Sequence, residues 1–509
     1  MRRHSLIEVA LAALVSSGLT ALPQFDGLHG LSIDVLTWLR WITFGPLHDP
    51  SRSPAVVVAL DDETYNSKPF HGTPTVTWTR EIGRVVAALV AGGATVIGFD
   101  IIFPNTIEQS EIPFGNETVG ARMRGFDRDF LIALASAARD GKLVLGQLQG
   151  QNTPIAPSDA QRLAVGYQRN IRPLNLYTDP DGIVRRVPLM VTVDGLRTPS
   201  IAVELAARVL GSGVEANPEG TVTLKDYRVP GGVPNTLTLN FEGGADDIPT
   251  YSFVALRECL DKGEAAYFRR NFAGRVVLIG VVLDQEDRSL TSKRFANWNR
   301  GGRGERCDGK QTTSRRGFAR DSLASVYIHA TAVNNLLRQE PLRELSPPAA
   351  WGFSFGLAAL ASAPALVWGP SLAALVVLSL LIMWLAIGAL ALVHALVLPI
   401  LNASAAAILA LFATIAYRFA VTDKDKRLLR RSFAFYLAPA VIERVMASNQ
   451  LPHLGGETRI LSLYRSDLAD FTPLSGGLRP SLQRSFVRIC QLCQQNPGFT
   501  IVSFRRRAR

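Results

Sequence analysis

At 509 residues, with 47% hydrophobic and 19% charged side chains and a net charge of +11, the chain is long enough for two or three domains. Its mild average hides a segregation that excludes a uniformly soluble protein. Residues 345–417 contain no Asp, Glu, Lys or Arg, and their titratable side chains are His394 and Tyr417. A water-facing surface needs charge, whereas hydrocarbon penalises it. The basic excess lies beside the apolar segments, in residues 293–320 and at the C-terminal end, with no nucleic-acid motif nearby, so no nucleic-acid partner is expected.

In chain order, Arg2 and Arg3 precede an apolar run over 6–22 that includes Glu8. This reads as a signal sequence or anchor. The following Thr20-Ala21-Leu22-Pro23 is a poor cleavage site, so residues 1–25 are expected to be an uncleaved anchor with the arginines inside. Residues 26–345 then form one extracytoplasmic domain. Ala55-Val-Val-Val-Ala-Leu60 predicts a strand ending at Asp61-Asp62. Ile82, Val85, Val86 and Leu89 predict a helix over 79–89, and Ala94-Thr-Val-Ile-Gly-Phe99 a second strand ending at Asp100. Strand, helix, strand at this spacing predicts a βαβ unit. Further strands are expected over 143–148 and 276–282, with an amphipathic helix over 199–210, so the domain is α/β. Asp61 and Asp100 are expected at the carboxyl ends of neighbouring strands, where open α/β sheets bind ligands; without a third partner, helix or loop capping is the favoured role. Residues 293–320 carry nine Lys or Arg with several Gly and predict an exposed loop.

Gly369-Pro370 and the stretch from His394 to Pro399 divide the charge-free region into spans near 350–368, 371–393 and 396–417. Each approaches the roughly 20 residues needed to cross hydrocarbon. Arg418, Lys424, Lys426, Arg427, Arg430 and Arg431 follow, which places this end in the cytoplasm. With the N-terminus also inside, one anchor plus three spans satisfies parity. The expected layout is a multi-pass membrane protein with spans over 346–418 and a cytoplasmic linker over 419–453. Segment 422–446 is the expected transducing helix, with Leu428, Leu429, Phe433 and Phe435 as an apolar face and Pro439 ending or bending it. Cys259 and Cys307 fall outside the membrane, where a bridge can persist. Cys490 and Cys493 form a lone C-x-x-C with too few ligands for zinc.

The run Val57-Val-Ala-Leu-Asp61-Asp-Glu-Thr, then Trp78-Thr-Arg80, then Val96-Ile-Gly-Phe-Asp100-Ile-Ile-Phe103 resembles the type-two CHASE sensor domain, an extracytoplasmic module of bacterial cyclases, kinases and phosphatases. So do Asp179-Pro-Asp-Gly182 with Arg185-Arg186, Val276-Val-Leu-Ile-Gly280, Val326-Tyr-Ile-His329-Ala330 and Asn334-Asn-Leu-Leu337. The 293–320 insert and Ser325 depart from that pattern. Three spans after the domain are the family's usual arrangement, and the resemblance implies the inner membrane of a bacterium, with the sensor outside and both termini inside.

After the spans, Phe435-Tyr-Leu-Ala-Pro439-Ala-Val-Ile-Glu443 and Leu454-Gly-Gly456 resemble the entry to a class III adenylate/guanylate cyclase domain, an α+β ferredoxin-like fold. The first catalytic strand would be 458–464. By resemblance Asp467 is one of two metal-binding aspartates, with the Leu468 carbonyl assisting, and Asp470, Phe471 and Thr472 would offer phosphate-binding N–H groups. The family uses two Mg2+ or Mn2+ ions to convert ATP to cyclic AMP and pyrophosphate between two chains, implying a homodimer. The residues that choose ATP over GTP are not recognisable here. Residues 496–507 do not resemble the hairpin carrying the second aspartate, and the match fades from about Ser485. Residues 454–509 are therefore expected to be an incomplete cyclase domain, inactive as given. The alternatives are a non-enzymatic receptor or a dimer partner of an intact cyclase, and a sensor module whose ligand the sequence does not name. No phospho-acceptor histidine pattern follows Tyr417, which disfavours a histidine-kinase output.

Overall fold

The structure, a computed structural model, describes residues 3–150, 153–244, 247–283, 288–296, 306–309 and 322–422. Six strands form its main sheet: β1 Ala55–Asp61, β2 Val96–Asp100, β3 Leu143–Gln147, β4 Ile171–Pro173, β5 Thr250–Ser252 and β6 Val276–Val282. Their spatial order is β5-β1-β6-β2-β3-β4, and every neighbouring pair is parallel. Parallel strands need helical crossovers that cover both faces, which is why β1 and β6 read as unbroken apolar runs instead of alternating ones.

Eleven longer helices matter here: α1 Arg3–Thr20, α2 Asp26–Phe44, α3 Thr79–Ala91, α4 Arg128–Arg139, α5 Ile201–Leu210, α6 Phe253–Asp261, α7 Ala265–Phe272, α8 Ser325–Arg338, α9 Pro347–Val367, α10 Pro370–Val393 and α11 Ile400–Tyr417. Val57, Ala59, Val276 and Leu278 pack on one face of the sheet against α5 and α8. Val56, Val58, Leu60, Val277 and Ile279 pack on the other against α3, α4, α6 and α7. The period-2 geometry of a strand sends alternate residues to the two layers. The α/β class, the βαβ connection and the strand over 276–282 are as the sequence predicts. One expectation is corrected: β1 and β2 are not neighbours, because β6 lies between them, with Ala59 level with Gly280 and Gly280 level with Asp100. No local signal dictates that insertion; β6 is apolar on both faces and comes from far along the chain.

Cys259 in α6 is bridged to Cys307, with Cα atoms 5.8 Å apart. The start of the basic stretch is also corrected. Lys293 is buried against Asp247 at 2.7 Å and Arg294 pairs with Asp34 at 2.7 Å, so neither belongs to an exposed loop.

Among the described residues three helices are long and apolar enough to cross a membrane: Pro347–Val367, Pro370–Val393 and Ile400–Val421. A fourth candidate arises if Ile7–Thr20 and Pro23–Phe44, bent by 70° to each other, act as one span. Ile33 and Leu36 of α2 join the apolar cluster of α9, α10 and α11. At Gly388 a side chain would collide with Leu36 and Ile400, so the glycine permits this close approach. The linker from α8 to α9 is also tied in: α8 ends at Gln339 in the left-handed region, and Arg343–Glu344 pairs in parallel with Leu396–Val397, between α10 and α11.

Candidate functional site

At the carboxyl end of the sheet, Asp61 does what a capping residue does. Its Oδ1 accepts hydrogen bonds from the Thr64 N–H at 2.9 Å, from the Thr64 hydroxyl at 2.8 Å and from the Ser252 hydroxyl at 3.0 Å. Asp100 accepts a hydrogen bond from Ser325 at 2.8 Å and lies 3.5 Å from Nε2 of His329. His329 is fully buried, and that desolvation pushes its pKa down to about 4, so at neutral pH the contact is not an ion pair. With β6 between them, Asp61 and Asp100 do not form one ligand site.

A denser polar arrangement sits where the α/β layers meet the apolar helices. It begins with the tight turn Asp179-Pro-Asp-Gly182, in which Gly182 takes a φ of +80° that favours glycine. The Gly182 N–H donates to the Asp179 carbonyl at 2.9 Å, which holds both aspartates beside the chain that emerges. Arg185 then makes a two-pronged contact with Asp34 of α2, Nε to Oδ1 and Nη2 to Oδ2, each at 2.8 Å. The same guanidinium donates to Asp179 at 3.0 Å and to Asp181 at 3.0 and 2.8 Å. Arg186 donates to the other Asp179 oxygen at 2.6 Å and to both oxygens of Glu344 at 3.0 Å. Glu344 also accepts hydrogen bonds from His29 at 2.8 Å and from the Thr238 hydroxyl at 2.5 Å.

This network ties three pieces of chain together: α2, the 179–186 turn and the linker into α9. Its groups are deep, with Arg185 1% and Asp34 0% exposed. A buried charge is tolerated only when paired and hydrogen-bonded, and the pattern here is saturated on that account. Burial alone would lift the Glu344 carboxyl, but the His29 hydrogen bond and the Arg186 charge outweigh it and hold the pKa near 2. Burial likewise works against the Arg185 charge, and the hydrogen bonds it donates to Asp34 and Asp181 reverse it, so Arg185 is firmly cationic. Gly30 makes room: a Cβ there would lie 2.7 Å from Cζ of Arg185. Beside the network is a cavity of about 440 Å³, walled by Thr20, His29, Asp181, Glu344, Trp351 and Asn402 among others.

The sequence marked Asp179, Asp181, Arg185 and Arg186 only through resemblance, and did not find Asp34, His29, Glu344 or Arg294. One signal was available. Asp34 and Arg40 interrupt the largely apolar second half of α2, and a charge on a buried face requires a partner of opposite sign. Asp467, Leu468, Asp470, Phe471 and Thr472, and the expected transducing helix beyond Thr422, lie outside the described residues. Among the described residues no group of three or more His, Cys, Asp or Glu is arranged to hold a metal ion.

No curated protein and no solved structure matches the chain. The CHASE2 domain family matches residues 9–387, a stretch that takes in α2, the whole sheet, the ionic network and the first apolar helices after it. The chain belongs to the CHASE2 domain family, whose domain is an extracytoplasmic sensor.

Proposed function

We propose that the chain is a membrane-anchored signal transducer: residues 26–345 sense a condition outside the cell, and the apolar helices relay it to a cytoplasmic class III cyclase region. The observation that carries the sensor reading is the buried network of Asp34, Arg185, Arg186 and Glu344. It clamps the α/β domain to the linker entering α9, so a rearrangement in the domain reaches the apolar helices through paired charges. The output reading rests on the resemblance of 435–443, 454–456 and Asp467 to the start of a cyclase domain. In this reading the region belongs to a fold that makes cyclic AMP and pyrophosphate from ATP, with GTP as the alternative substrate, in a homodimer, and is catalytically incomplete in this chain. Asp467 and the Leu468 carbonyl would hold one of the Mg2+ or Mn2+ ions, and Asp470 to Thr472 would meet the phosphates. One recognisable metal aspartate favours a second reading beside it, a receptor without its own catalysis that pairs with an intact cyclase.

Two assays separate these readings. Sidedness is tested with a membrane-impermeant maleimide on a Leu196→Cys chain lacking Cys490 and Cys493, since Leu196 is 73% exposed. Labelling from outside is expected; labelling only after permeabilisation would overturn the sensor reading. In the native chain Cys490 and Cys493 should label only after permeabilisation. Membranes supplied with Mn2+ and ATP test the output. Cyclic AMP that disappears on Asp467→Ala establishes catalysis, whereas none from the chain by itself favours the receptor.

A further inference from the structure

Two histidines near opposite ends of α2 close on carboxylates of the same linker. His29, in the first turns of α2, places Nε2 2.8 Å from Oε2 of Glu344. His48, just beyond the other end of the helix, bonds Glu242 through Nδ1, and its Nε2 lies 3.2 Å from Oε2 of Glu340. Glu340 and Glu344 lie on the segment between α8 and α9. Both imidazoles are 32% exposed, so solvent protons reach them.

The contacts of His48 demand a particular charge state. A neutral imidazole has one N–H donor and one acceptor nitrogen; only the imidazolium donates from both. With a carboxylate facing each ring nitrogen, loss of the proton leaves one nitrogen lone pair against a carboxylate oxygen. The charges around the ring decide which arm lets go. Glu242 keeps other partners when His48 is neutral: the Leu47 N–H at 3.0 Å, Arg338 at 3.6 Å and the electrostatic attraction of buried Arg40. Arg40 also attracts Glu340, but that carboxylate is 45% exposed and can swing to water. Around His29, Arg186 holds Glu344 from the far side, and Asp26 and Asp181 line the same cavity. Neutral His29 still bonds Glu344 but no longer neutralises these acids.

We propose that His48 with Glu242 and Glu340, reinforced by His29 with Glu344, is a proton-sensitive clamp on the linker into α9, and that the proton is a ligand read by this sensor. Histidine is the side chain whose charge changes between about pH 5 and 8. At the acid end of that range the clamp is closed. At the alkaline end Glu340 is released and the linker loosens. Arg343–Glu344 is paired to Leu396–Val397 between α10 and α11, so the change passes to two apolar helices beyond α9. The proposal rests on the sensor reading but fails separately from it: sidedness decides that reading, and titration of the linker decides this one.

The test uses the full chain in liposomes, with Cys490 and Cys493 replaced by Ser and a spin label on Arg343→Cys, whose side chain is exposed. The label should be restrained at low pH and freer at high pH, changing over the range in which histidine exchanges its proton. His48→Gln should remove most of the change and His29→Gln with His48→Gln all of it. Glu340→Gln, a replacement at an exposed site that does not endanger folding, should shift the midpoint to lower pH by removing one anion beside the ring. A label whose motion is flat across the range would overturn the proposal, as would a titration that survives the double Gln variant or a midpoint unmoved by Glu340→Gln.

Discussion

Two regions of this molecule are held by opposite chemistry. In the sheet, β1 and β6 lie in register over seven residues, from Ala55 with Val276 to Asp61 with Val282, and their side chains fill two apolar layers. At the junction, four carboxylates and three guanidinium groups, drawn from α2, the 179–186 turn, the 293–294 segment and the linker, do the joining. Apolar packing is non-directional and roughly proportional to the area removed from water. A buried ion network is directional: it has a few discrete arrangements and is costly to leave half made. The sheet is thus suited to be a stiff frame, and the junction to be the place where a change of state is registered.

Breaking one partner of the network should have the largest effect. Arg185→Ala removes the cation that Asp34, Asp179 and Asp181 share, leaving Asp34 with Arg294 and Asp179 with Arg186, and should cost about 3–5 kcal/mol in denaturant unfolding of the detergent-solubilised chain. In the frame, Ile279→Ala removes a fully buried side chain between β1 and β2 and should cost about 3–4 kcal/mol through the cavity it leaves. It should leave the linker's attachment to the α/β domain intact, which Arg185→Ala should not. Replacing Cys259 and Cys307 by Ser opens a loop spanning 48 residues and should cost about 3–4 kcal/mol. Thiol counting checks the premise: the oxidised, denatured chain should expose two reactive thiols, Cys490 and Cys493, and the reduced chain four.

Gly30→Ala should disturb the junction more gently. Its new methyl displaces the Arg185 guanidinium from a place where five hydrogen bonds to three carboxylates fix it, at about 1–2 kcal/mol. A last effect is confined to acid. The Glu344 carboxyl lies near 2 in the folded chain against 4.5 when unperturbed. Its contribution is therefore fully present above about pH 4.5 and lost as pH falls toward 2. The stability difference between the native chain and Glu344→Gln should shrink through that window; a difference constant from pH 5 to pH 2.5 would contradict the assigned pairing.

The frame was legible in the sequence because its signals are local. Val56 to Leu60, the Ile82–Val85–Val86–Leu89 stripe and 276–282 each declare their element and their burial. The order of strands was not legible, since nothing in β6 says that it inserts between β1 and β2. The apolar helices were legible from the absence of charge in 345–417, and their observed bounds differ from the expected spans by a few residues. The junction was mostly hidden. Asp34 and Arg185 are 151 residues apart in sequence, and Arg186 and Glu344 are 158 apart, so no spacing rule links them. Lys293 and Arg294 looked like the front of a basic loop because charge alone does not tell a solvated lysine from one that meets a buried Asp247.

Native-state hydrogen exchange on the reconstituted Arg185→Ala chain tests most directly whether the ion network, and not the apolar core, fastens the linker to the α/β domain. Amides in 179–186 and 339–346 should lose protection while those of β6, in 276–282, exchange as in the native chain. Equal loss of protection in the linker and in β6, or no loss in either, would contradict that role for the network.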